Sequence, residues 1–305
     1  LDIVTDGNMW YDDYVGVIGS FCWYLYERID GFEAAKEEHP STVGVSERNV
    51  PQEMLHDWGG VVNNGPVKNS RLRFADLYKV AKAHATKPVK VSVGAGPINL
   101  AWHVHFKHYK DAKELSFALA PIFNQEMKDL VAAGATYLQL EDLGPWYPLF
   151  TNNKDDYKWI REVVEQCCDG VDARIGWHFC FGNAWGNDIL SAAFPTGYQT
   201  VLPYFFGTAG IDEFVLDYAN RHMDGVEFLK NLPANQGAQV GVLDIRTNAV
   251  ESPQMIADRV RKVVKAVPAE LGPAASKVTV TARSPPRRPG QGLGPGHGDS
   301  GVPHL

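Results

Sequence analysis

The chain has no apolar run near the roughly 20 residues that a membrane-spanning helix needs. Its start, Leu1-Asp2-Ile3-Val4-Thr5-Asp6-Gly7, carries acids at once and no basic residue, which argues against a secretory leader. It also lacks an initiator Met and begins inside a strand-like run, so the chain reads as missing its true beginning. Positive charge is not in excess: the formal net charge is −7, which speaks against nucleic acid or an anionic membrane as partner. Cysteine is scarce. Four residues (Cys22, Cys167, Cys168, Cys180) in 305 make no disulfide framework and suit a reducing, cytoplasmic setting. No G-x-G-x-x-G follows any strand-like run, so the dinucleotide-binding fingerprint is absent.

What is present is ordinary for a soluble protein, 45% hydrophobic and 21% charged, in a length that allows one barrel or two small domains. Short apolar runs bounded by turn residues, at 1–5, 89–93, 137–140, 175–179, 214–216, 240–243 and 278–280, read as buried parallel strands. Helical spacing fills 112–133, stopping at Gly134, and 155–167. Ser252-Pro253 opens another helix, with Ser as N-cap and Pro at its first position. Repeated β-then-α units predict a parallel sheet with right-handed crossovers. Seven strands with polar ends suit an α/β TIM barrel lacking its first strand and helix; a doubly wound sheet is the alternative. Residues 31–75 are irregular and read as an insertion over the barrel mouth. Residues 284–305 are rich in Pro and Gly without apolar periodicity, and cannot pack as a closing helix. They read as a disordered or out-of-frame tail.

The chemistry concentrates in Arg174-Ile-Gly-Trp-His-Phe-Cys-Phe-Gly-Asn183. On a strand, residues i and i+2 share a face, so His178 and Cys180 can offer a nitrogen and a sulfur to one ion. Imidazole with thiolate suits zinc better than a hard cation. Two ligands do not make a site, however, and buried Cys is common packing material. Trp10, Trp146, Trp177 and Trp185 lie near strand ends, where they either wall a pocket or pack. Asp244 ends a strand and either orients a ligand or pairs with Arg246. His103, His105 and His108 have spacings that favour a surface cluster over a second metal site.

Asp2–Gly7, Gly96-Pro97, Glu126–Gly134, Leu138–Asp142, His178-Phe-Cys180, Val242–Arg246 and Val250–Pro253, taken in that order, resemble the cobalamin-independent methionine synthase family. Glu126-Met-Lys-Asp-Leu-Val-Ala-Ala-Gly134 with Leu138-Gln-Leu-Glu-Asp142 is similar to a family helix and the strand I-Q-I-D-E-P. Gly96-Pro97 matches a preceding Gly-Pro, and His178-Phe-Cys180 the zinc H-x-C. Val242-Leu-Asp-Ile-Arg246 with Val250-Glu-Ser-Pro253 resembles a late strand and helix, and Asp2-Ile-Val-Thr-Asp-Gly7 an early strand. The likeness covers about residues 1–283. It implies a TIM barrel with zinc at its C-terminal mouth, and a small-molecule thiol accepting a methyl or other alkyl group, from a methylated folate if it follows methionine synthase itself. The implied ligands are His178, Cys180 and a carboxylate that falls on Asp217, whose other reading is a strand-end cap. The family's second Cys should follow Val280, where this chain has Thr281-Ala282-Arg283. Glu141 and Asp142 stand where the family has Asp-Glu, to contact the acceptor's amino group or a donor proton, or else as solvated loop acids. Asn8 replaces a Glu that helps hold homocysteine, which points away from that acceptor. Relatives that open epoxides with coenzyme M are the enzyme alternative. An inactive barrel or a metal-free binding module is the other, and the exposed edges of an incomplete barrel predict self-association.

Overall fold

Polar and apolar residues alternate along the strands, and that alternation gives the sheet one polar and one apolar face. The computed structural model describes residues 2–6, 22, 24–34, 61–102, 104–181, 183–184, 187–188, 197–244, 249–267 and 278–281. Asn8, Trp10, His103, Trp185, Arg246 and the tail 284–305 lie outside them. A six-stranded parallel sheet runs in the order β3 (Val91–Val93), β5 (Tyr137–Asp142), β6 (Arg174–Phe179), β9 (Glu213–Leu216), β10 (Gly237–Gly241), β11 (Val278–Thr281). Helices α3 (Ala112–Ala132), α5 (Asp156–Cys168) and α6 (Pro253–Ala266) provide crossovers and follow the expected spans closely. Asp111 caps α3 by accepting from Glu114 N–H, and Ser252 caps α6 by accepting from Met255 N–H.

Leu138, Leu140, Ile175, Trp177, Phe179, Phe214 and Leu216 are buried in the hydrophobic core with helix residues such as Leu119, Phe123 and Val163. Each such side chain contributes about 1.5–3 kcal/mol by leaving water. The other face carries Lys90, Ser92, Tyr137, Gln139, Glu141, Arg174, His178, Glu213 and Gln239, joined by polar contacts. Lys90 precedes β3 and its ammonium reaches Gln239 on β10, four places away in the sheet. In a flat sheet those strands would lie about 19 Å apart. The sheet therefore curls around its polar face. At the N-terminal end Arg174 bonds Glu213 at 2.5 Å, Tyr137 donates to Glu213, and Lys90 lies 4.7 Å from the Tyr137 ring.

The parallel α/β sheet is the expected one, but it does not close into a barrel among the described residues: it ends at β11 on one side and at a single bridge, Val4 to Val89, on the other. Nor is 31–75 wholly irregular. β1 (Ile29–Ala34) pairs antiparallel with β2 (Val61–Ser70), which pairs parallel with β4 (Val104–Phe106). The turn-like Asn63-Asn64-Gly65-Pro66 sits within β2, where the register slips, and this disguised it as loop. Also present are α1 (Phe74–His84), α2 (Pro97–Trp102), α4 (Tyr147–Thr151) and the short ribbon β7 (Asn183–Ala184) with β8 (Asn187–Asp188). No helix among the described residues is long and apolar enough to cross a membrane.

Candidate metal centre

Parallel register brings the site together. Glu141 of β5 lies opposite His178 of β6, and Phe179 opposite Leu216 of β9. One step further along sets Cys180 beside Asp217. The ligand atoms of His178, Cys180 and Asp217 all lie within 4.8 Å of one another at the C-terminal strand ends. His178 is buried; Cys180 and Asp217 are half-buried, so the group opens to one side.

The two ring nitrogens of His178 are differently engaged. Nδ1 meets the Glu141 carboxylate, while Nε2 is 3.3 Å from Asp217 Oδ2. Glu141 in turn accepts from Ser92 Oγ at 2.9 Å and from the Gln139 amide. Burial disfavours a charged imidazole here, but the Glu141 and Asp217 carboxylates and their hydrogen bonds outweigh it and raise the His178 pKa to about 9. Two carboxylates around one imidazole call for positive charge, carried by a proton or by a metal ion.

The donor set fits zinc. Bonds of about 2.0–2.1 Å at a tetrahedral angle separate nitrogen and oxygen ligands by about 3.3 Å, the spacing of Nε2 and Oδ2. A carboxylate on the other ring nitrogen is the usual device that orients a metal-binding histidine. One His, one Cys and one carboxylate leave a fourth position, as catalytic zinc sites do.

Asp142 does not join this group. Its side chain points to the opposite face, where it accepts from the backbone N–H groups of Ile98 (3.2 Å), Asn99 (3.1 Å) and Gly144 (2.6 Å). Burial pushes its carboxyl up to about 7 against these three donors. A Cβ at Gly96 would collide with that carboxylate, which explains the glycine. The expectation that Trp177 walls the pocket is also corrected: it is fully buried on the helix side, edge-on to Phe179 and Phe205. Trp146 lies closer to the centre, and its Nε1 donates to the Cys180 carbonyl at 2.8 Å. Asp244 is half-buried, with its backbone N–H on Glu251; Glu251 also pairs with Arg259 at 2.5 Å. His105 lies on β4 and the exposed His108 packs edge-on to Tyr109.

Sequence reasoning missed Ser92, Gln139 and Tyr198. The first two carried a signal, since Ser92 stands between Val91 and Val93, and Tyr137, Gln139 and Glu141 alternate with Leu138 and Leu140. Tyr198 carried none. It sits in the short 3-10 turn Tyr198–Thr200.

A family profile described as the cobalamin-independent synthase catalytic domain matches residues 59–272. The methionine synthase of Thermococcus kodakarensis is 28% identical over 219 residues, 70% of this chain and 59% of that protein. That of Saccharolobus solfataricus is 26% identical over 276 residues, 88% of this chain and 70% of that protein. The chain thus spans under two thirds of the first relative's length. A solved B12-independent methionine synthase from Shewanella sp. W3-18-1, in complex with selenomethionine, is similar with a TM-score of 0.70 at 24% identity. That likeness covers 92% of this chain and 75% of that one. A second, from Listeria monocytogenes, has a TM-score of 0.57 at 18% identity, covering 92% and 73%. At these identities the two structures speak to the fold.

Proposed function

Because this chain belongs to the cobalamin-independent synthase catalytic-domain family, we propose that it transfers a methyl group to a small thiol, with homocysteine the first acceptor to test. The donor in this reading is a methylated folate, and zinc is the metal. The observation that carries it is the convergence of His178, Cys180 and Asp217 within 4.8 Å, with Glu141 on the far ring nitrogen. The curled sheet is read as the greater part of a (β/α)8 barrel, whose chemistry belongs at the C-terminal strand ends. Contact between Lys90 and Gln239 across four strand positions supports that reading.

Zinc bound there would supply an acceptor thiolate at neutral pH by lowering the thiol's pKa. His178, Cys180 and Asp217 would hold it. Glu141 keeps the His178 ring in one orientation and takes up the proton balance of the imidazole, while Ser92 and Gln139 keep Glu141 in place. The half-buried faces of Cys180 and Asp217 leave room for the acceptor sulfur. Holding donor and acceptor in line supplies the rest of the acceleration.

Elemental analysis of the purified chain tests the reading, with His178→Ala/Cys180→Ala as control. The expected outcome is about one zinc per chain, lost in the control, together with methylation of homocysteine from a methylated folate. Alkylation of coenzyme M by an epoxide instead would shift the substrate class. Folded protein without zinc would leave a metal-free member of the family.

A further inference from the structure

We infer that Tyr198 is a positioning residue for the metal centre: its hydroxyl clamps together the two strand ends that carry the ligands. The inference rests on the zinc reading above. Tyr198 is fully buried, and its hydroxyl donates to the Phe179 carbonyl at 2.9 Å and accepts from the Asp217 backbone N–H at 2.8 Å. Phe179 lies between His178 and Cys180, and Asp217 is the third ligand. One oxygen therefore bridges β6 and β9 where their own pairing stops, since the last register pair is Phe179 with Leu216. Beyond that pair a parallel ladder no longer fixes the spacing of Cys180 and Asp217. The Tyr198 hydroxyl continues it by one rung.

The ring is held as firmly as the hydroxyl. It packs against Phe181 at 4.7 Å, Tyr218 at 5.0 Å and Trp146 at 5.9 Å between centroids. Trp146 Nε1 meanwhile donates to the Cys180 carbonyl. The ligand-bearing ends are thus fixed before any ion arrives. A phenylalanine at 198 keeps the packing and deletes both hydrogen bonds, leaving the Asp217 N–H and the Phe179 carbonyl without that partner.

The test is the zinc dissociation constant of the full chain, by competition with a chromophoric chelator, for wild type, Tyr198→Phe and Tyr26→Phe. Tyr26 is buried and its hydroxyl donates to the Leu100 carbonyl at 2.7 Å, so its variant loses a comparable bond outside the ligand set. Tyr198→Phe should bind zinc roughly 10-fold more weakly or worse, and the thiolate-to-cobalt charge-transfer band of the cobalt form should shift. Tyr26→Phe should change stability alone. Equal zinc affinity and an unchanged cobalt spectrum in Tyr198→Phe would overturn the inference. If that variant does not fold, hydrogen exchange of wild type decides: the Asp217 amide should be protected without metal, and rapid exchange there overturns the clamp. Wild type that binds no zinc refutes the metal reading itself, a different result from wild type and variant binding alike.

Discussion

Glu141 and Asp142 are adjacent, both acidic and both buried, yet they face opposite sides of β5. Glu141 meets the His178 imidazole of the candidate metal group. Asp142 meets three backbone N–H groups and ties the turn after β3 to the end of β5. Its carboxyl moves from an ordinary 3.8 up to about 7 because burial penalises the charge. An acid raised in this way holds its proton more tightly folded than unfolded. Its contribution to stability is complete below about pH 4 and is lost as the pH climbs through about 7. Asp142→Asn carries no charge at any pH. Between pH 4.5 and 7.5, urea unfolding should show wild type losing about 3 kcal/mol relative to this variant. Parallel pH profiles would contradict that account of the carboxyl.

Strands and helices were legible where local pattern and burial agreed. The runs at 137–140, 175–179 and 214–216 became β5, β6 and β9 with ends moved by two residues or fewer. The run at 240–243 became β10 at Gly237–Gly241, because glutamine and glycine pair in a ladder as well as valine does when both faces are covered. β2 was illegible since its Asn-Asn-Gly-Pro is turn chemistry, and only pairing with β1 and β4 holds it extended. The turn after β3 depends on Gly96, whose N–H donates to the Glu141 carbonyl. Gly96→Ala should lower the unfolding free energy by about 1–3 kcal/mol, because the methyl displaces a carboxylate already held by three donors. Thermal and urea unfolding against wild type would measure it. No loss would mean the Asp142 side chain yields freely.

Across the whole molecule, the two ends of the curled sheet do different work. The N-terminal end is plugged by Lys90, Tyr137, Arg174, Glu213 and Gln239; the C-terminal end holds the candidate ligand group. Glu213 is fully buried and pairs with Arg174, so Glu213→Ala leaves a charge without its partner. It should cost about 1–3 kcal/mol in unfolding free energy, because the orphaned Arg174 is 36% exposed and water takes up part of its charge, while zinc stoichiometry stays that of wild type. Loss of zinc in folded Glu213→Ala would show that the two ends are coupled. What the sequence by itself determined was local: β-then-α alternation, the caps at Asp111 and Ser252, and His178 and Cys180 on one strand face. These follow from periods of 2.0 and 3.6 residues, which any stretch of chain carries with it. Only the tertiary structure decided that Glu141 rather than Asp142 meets His178, that Asp217 lies near Cys180, and that Tyr198 bridges their strands. Those facts depend on register between strands 37 to 39 residues apart and on the curl of the sheet. Both are set by packing between distant segments, which leaves no mark at any single position.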